Sequence, residues 1–163
     1  MTPVAEIMAR MIDYPGNTRH DIEHLVKVWS YARTIGQLEG LDARALYVLE
    51  VAAIVHDIAC PALRRRTGSC NGKLQEREGA PMAAAFLEPF GLPREDLERV
   101  CFLVGHHHTF AGVDGPDWQI LLETDYLVNA GESGYSDDAI RNFANNLCKT
   151  PSGRALFASI YHV

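Results

Sequence analysis

Residues 41–59 read LDARALYVLEVAAIVHDIA, the most apolar helical stretch in the chain, and it carries a histidine and an aspartate, His56 and Asp57, at its end. Asp42 is a natural N-cap, the composition is helical throughout, and Cys60-Pro61 ends the run. Its last two turns are expected to be fully buried. An unpaired carboxylate in that setting costs several kcal/mol of desolvation, so something has to compensate His56 and Asp57. Neighbouring helical residues point about 100° apart, so the two side chains meet at one ion only if it sits in the angle between their faces.

Two further polar residues stand where apolar ones are expected. His24 continues the helical stripe Val28, Tyr31, Ile35 and Leu38, and Asp125 lies on the stripe Trp118, Leu121, Leu122 and Val128. Each has a structural explanation by itself: a buried histidine is commonly just hydrogen-bonded, Asp57 can pair with Arg64, and Asp125 can cap a neighbouring helix. Jointly they favour one cause. A divalent cation ligated by imidazoles and carboxylates turns four costly burials into one satisfied site, and the mixed N/O set suits Mn, Fe, Co, Ni or Zn. One ion accounts for the four residues, and a second is compatible with them. Open coordination positions hold water, whose pKa a bound cation lowers toward neutrality.

The remaining chain reads as helices and turns. Thr18 with Asp21 resembles a capping box opening a helix that runs to Glu39, with Gly40 as its stop. Residues 61–79, PALRRRTGSCNGKLQEREG, break periodicity with glycines and carry Arg64, Arg65, Arg66, Lys73 and Arg77, which predicts a basic, irregular loop. Pro81 is expected to start a helix to Phe90, Pro93 one reaching His106-His107-His108, and Trp118 one to Ala130; Ser136 and Thr150-Pro151 open two short C-terminal helices. No segment alternates as a strand. The expectation is an all-α bundle of roughly seven or eight helices in one domain over 1–163, with residues 136–163 packing on a core of about 20–130.

With 163 residues, 47% hydrophobic and 22% charged, the chain has the composition of a globular protein. A net charge of −6 repels a nucleic acid duplex, and a small substrate fits better. The apolar runs fall short of the ~20 residues of a membrane span, and the N-terminus does not read as a signal peptide. Cys60, Cys70, Cys101 and Cys148 form no CxxC pair, which argues against a disulfide framework and for a cytoplasmic protein.

His24 and Val28 as H-x-x-x-V, the buried VHDI, and a later apolar helix bearing Asp125 resemble the HD superfamily of metal-dependent phosphohydrolases. The wording LEVAAIVHDIA, EGAPMAAAFLEPFG, VCFLVGHHH and ILLETDYLVNAGE is similar to small stand-alone bacterial members. The resemblance implies a helical fold, a divalent metal on His24, His56, Asp57 and Asp125, hydrolysis of a nucleotide or small phosphate ester, and a homodimer as a common assembly. It also carries a departure, because many members have a histidine just before the Gly-Ala where this chain has Glu78-Gly79-Ala80. Glu78, His106, His107 and Arg64 are candidates for a second metal or for phosphate contacts, with His107 the best match among the three histidines. Asp57, Lys73 and His107 are the expected catalytic residues: Asp57 orienting the water, and Lys73 or His107 offsetting charge on the phosphoryl oxygens. Two other readings stay open, a di-iron oxygenase built on the same ligands and a non-catalytic ligand-binding module.

Overall fold

In the computed structural model, which describes residues 2–163, the chain forms nine α-helices and one 3-10 turn among the described residues, with no strand. The helices are α1 (Val4–Ile12), α2 (Arg19–Leu38), α3 (Ala43–Val55), α4 (Cys60–Thr67), α5 (Gly72–Leu87), α6 (Arg94–Val104), α7 (Pro116–Glu132), α8 (Asp137–Asn146) and α9 (Pro151–Tyr161); the 3-10 turn is Glu88–Phe90.

Helix α3 lies at the centre, packed by α1, α2, α6 and α7. Every residue from Tyr47 to Val55 is buried, so this stretch of α3 has no solvent face, and all of its side chains but Glu50 are apolar or aromatic. Fully burying an Ile, Leu or Val contributes about 1.5–3 kcal/mol each relative to exposure, so the buried turns of α3 contribute strongly to core stability. The one charged residue in that run, Glu50, accepts from Trp29 Nε1 at 2.9 Å and Arg33 Nη1 at 2.7 Å. A smaller cluster of Leu127, Ile140, Phe143 and Phe157 fastens α8 and α9 onto α7. The expectation that every apolar run falls short of a membrane span is corrected at Ala43–Thr67, which reaches that length and hydropathy, with 83% of its most apolar window buried within the bundle.

The expected caps are present. Thr18 and Asp21 bond reciprocally across the start of α2, and Asp42, Ser136 and Thr150 each cap their helices. Residues 61–79 depart from the expected loop. Pro61 sits in the first turn of α4, where its missing N–H costs nothing; Gly68 ends that helix at φ 78°, and Asn71 caps α5 by accepting from Lys73 N and Leu74 N. Only 68–71 remain irregular, and Pro81 lies inside α5 rather than at its start. At the other end, α6 stops at Val104, and His106, His107 and His108 occupy the turns beyond it.

The expectation that the cysteines stay unpaired is corrected. Cys60 and Cys70 form a disulfide, their Cα atoms 5.3 Å apart, while Cys101 and Cys148 are free. Spacing alone does not reveal this pair, because it depends on α4 reversing at Gly68 to bring residue 70 back beside its own first residue.

Candidate metal centre

His56 and Asp57 lie where α3 gives way to a tighter turn, with Ile58 N donating to Val55 O and Cys60 N to Asp57 O. That turn lets adjacent side chains approach the same point. His24 comes from the core face of α2 and Asp125 from the middle of α7, and the four side chains converge. His24 Nε2 is 3.2 Å from His56 Nε2, 3.2 Å from Asp125 Oδ1 and 3.4 Å from Asp57 Oδ2. His56 Nε2 is 3.5 Å from Asp57 Oδ2 and 3.4 Å from Asp125 Oδ1.

The far sides of the imidazoles are committed. His24 Nδ1–H donates to Glu132 Oε2 at 2.8 Å, His56 Nδ1–H to Ala53 O at 2.8 Å, and His107 Nδ1–H to Val104 O at 2.7 Å. These bonds fix ring orientation and turn each Nε2 toward the carboxylates. Two Nε2 atoms at 3.2 Å are both acceptors in their neutral forms and need a proton or a cation between them. Metal ligands at about 2.0–2.2 Å from an ion stand about 3–3.5 Å from each other, which is the spacing of these donors. The donor set therefore fits a divalent cation.

Electrostatics agree with a site built for positive charge. Burial alone would raise the Asp57 carboxyl, but His56, His107 and His24 hold it well below the usual range; Asp125 is depressed in the same way by His24 and His56. Burial alone would lower His24, but Asp125, Asp57 and Glu132 raise it to about 9. His107 is raised by Asp57 against its burial, whereas burial and the neighbouring His107 lower His108. Asp57 is the exposed edge of the centre, its side chain 31% accessible against 7% or less for His24, His56 and Asp125.

Asp57 also faces a second group. Its Oδ1 is 3.4 Å from His107 Nε2, and Asp57, His107 and His108 each offer a donor atom within 4.8 Å of the others. His106 does not join them, since its Nδ1–H donates to Phe102 O at 2.7 Å and its ring stacks on Phe102.

Other expected site residues fall elsewhere. Glu78 is held by Arg66 at 2.7 Å and by Arg77 at 3.2 Å, with its carboxyl lowered chiefly by Arg66, and it does not reach the centre. Arg64 is tied to Asp21 at the start of α2, one turn before His24. Lys73 is exposed in the first turn of α5; the buried face of that helix runs through Gln75, Gly79, Ala83 and Leu87, and two residues rotate a helical side chain by about 200°, which turns Lys73 away.

Sequence reasoning missed Gln75 and Glu132. Gln75 Oε1 lies 3.0 Å from His107 Nε2 and 2.8 Å from His108 Nε2, so Gln75, not Glu78, is the α5 residue that enters the site. Its signal was its place on the i, i+4 stripe with Gly79 and Ala83. Glu132 had none, being the last residue of α7 with its role set by contact with α2.

The HD domain family model matches residues 21–130, a span that holds all four converging residues. The chain belongs to the HD domain family. Among solved structures it is similar to Bacillus subtilis YpgQ, at 21% identity with a TM-score of 0.60, covering 98% of this chain and 88% of that one, a likeness of fold. A comparison with curated proteins finds no match. Membership brings the chain into a superfamily of metal-dependent phosphohydrolases, some of whose members are non-catalytic.

Proposed function

We propose that this HD protein hydrolyses a phosphoric ester or anhydride bond in a nucleotide or other small phosphate ester, with a divalent cation held by His24, His56, Asp57 and Asp125. The observation that carries the reading is the inward convergence of the His24 and His56 Nε2 atoms on two ionised carboxylates, with both Nδ1–H groups anchored behind them. A bound cation of this kind supplies a Lewis acid for the phosphoryl oxygen and lowers the pKa of water.

The protein groups divide the remaining work. Asp57, open to solvent, orients the attacking water, and its depressed pKa suits an acceptor that stays ionised more than a strong base. His107, raised by Asp57, offsets charge developing on the equatorial oxygens. Asn129 Nδ2 donates to Asp125 Oδ1 at 2.9 Å and keeps that carboxylate in register.

Beside the centre His108 and Asp125 share a cleft of about 110 Å³ with Phe110, Tyr126, Asn129 and Tyr135, smaller than the roughly 300 Å³ of an ordinary small-molecule pocket, so a nucleotide base would lie at its open rim. Phe110 and Tyr135 are large side chains left 42% and 40% exposed, and aromatic faces of that kind stack on a base. The group Asp57, His107 and His108 supports a two-ion version of the same centre. A cytoplasmic location and a homodimer belong to this reading as proposals.

The test is metal quantification on purified protein, coupled to a screen of nucleotides and phosphate esters with Mn, Co, Ni and Mg. Metal-dependent release of phosphate or pyrophosphate is expected. Dioxygen consumption with bound iron would favour the oxygenase reading, and metal-independent ligand binding without turnover the non-catalytic one.

A further inference from the structure

The Cys60–Cys70 pair reaches the histidine–aspartate centre from both of its ends. Cys60 is the third residue after Asp57, and its N–H donates to Asp57 O at 2.9 Å. On the other side, Gln75 Nε2 donates to Cys70 O at 3.1 Å and to Cys70 Sγ at 2.9 Å. With its NH2 held there, Gln75 presents Oε1 to His107 Nε2 and His108 Nε2, at 3.0 and 2.8 Å. The amide thus covers the two nitrogen atoms that, with Asp57, make the second group of potential ligands.

Accessibility differs between the two sulfurs. Cys60 is 5% exposed, whereas Cys70 is partly exposed in the 68–71 connection, between exposed Ser69 and Asn71. A thiolate from solvent therefore meets Cys70 first. Cys60 is the first residue of α4, where the helix end favours a leaving thiolate.

We propose that Cys60 and Cys70 are a redox modification site, opened by dithiol exchange, whose state is read at His107 and His108 through Gln75. A dithiol thiolate attacks Cys70 Sγ; the Cys60–Cys70 bond breaks, and Cys60 leaves as a thiolate that takes a proton from water. The second thiol of the reductant then attacks the mixed disulfide and closes its own disulfide, releasing Cys70 as a thiol; two electrons pass to the protein. Opening frees residues 68–71 and the anchor of the Gln75 NH2 group, and the amide leaves the two Nε2 atoms. The closed form shields the Asp57–His107–His108 group from a cation, and the open form exposes it. The cation-binding consequence rests on the metal-centre reading above; the movement of Gln75 does not.

The experiment uses metal-free protein and the ring signals of its histidines in 1H–15N spectra, before and after treatment with a dithiol removed by desalting. Thiol titration is expected to rise from the two free cysteines to all four. The His107 and His108 rings should shift on reduction while His20 and His162, at the surface, stay in place. Manganese affinity at the second group should rise by about tenfold, the scale at which partners of metal ligands act. Gln75→Ala should give one ring spectrum and one affinity in both redox states, and Cys60→Ser/Cys70→Ser should match the reduced wild type without reductant. Where the double variant fails to fold, reduced wild type carries the comparison. The proposal is overturned by ring spectra that do not change on reduction, by a redox effect that persists in Gln75→Ala, or by four free thiols after mild oxidation. Absence of phosphate turnover overturns the proposed function and leaves this test standing, because the ring signals need neither metal nor substrate.

Discussion

His24 and His56 face each other with their Nε2 atoms 3.2 Å apart, and the opposite nitrogen of each ring is already bonded, to Glu132 and to the Ala53 carbonyl. Neither ring can turn away without giving up that anchor, so the pair is preorganised for something that bridges two lone pairs.

Removing Asp57 should therefore do more than remove a ligand. Asp57→Ala takes away the carboxylate facing His24, His56 and His107 together, and loss of the proposed phosphohydrolase activity with a clear drop in metal binding is expected. His106→Ala, whose ring is packed between Phe102 and Trp118, should keep its metal content while losing about 1–2 kcal/mol of stability. Elemental analysis beside urea unfolding separates the two; equal metal loss in both variants would contradict the site assignment.

Glu132→Gln tests the anchor itself. It keeps size but weakens the charged acceptor behind His24 Nδ1, and metal affinity is expected to fall about 10–100-fold. Competition against a chromogenic chelator reads the change, and an affinity equal to wild type would show that the carboxylate serves only Lys27 and His20, its other neighbours.

The pH dependence follows from His24. Burial alone would lower its pKa, but the carboxylates around it raise it to about 9 from the ordinary 6.5, so the protonated ring contributes stability that is complete below the unfolded value and lost as pH rises through the folded one. Metal-free protein should become less stable between about pH 6.5 and 9, and metal affinity should rise over the same interval because the cation displaces that proton. Urea midpoints at three pH values after chelator treatment measure this; a flat or rising profile would contradict it.

Loading the centre should stabilise the native state by mass action, about 2.7 kcal/mol at a free metal concentration a hundredfold above Kd. A thermal melt with and without chelator is the check. A melting temperature insensitive to Mn, Co, Ni and Zn would speak against any resident cation.

Glu123 offers a control outside the centre. Buried completely, it accepts from Lys149 N at 2.6 Å, Thr150 N at 3.0 Å and the Thr150 hydroxyl, so it ties the start of α9 to α7. Glu123→Ala strands those donors and should cost about 2–4 kcal/mol while leaving metal stoichiometry unchanged in the folded fraction.

Much of this was legible in the chain itself. The helical class, the caps at Thr18, Asp42, Ser136 and Thr150, and the anomaly of His24, His56, Asp57 and Asp125 are local properties, because periodicity and capping depend on residues a few positions apart. The same anomaly also has a plain structural outcome: Glu50 and Glu123 are as deeply buried, yet Trp29 with Arg33 and the backbone at 149–150 satisfy them. Only packing distinguishes a carboxylate that has found donors from one that faces other ligands. Tertiary structure likewise selected Gln75 over Glu78 and Lys73, supplied Glu132, separated His106 from His107 and His108, and joined Cys60 to Cys70. Each of those depends on where helices cross and where a turn reverses the chain, distances that no sequence spacing encodes.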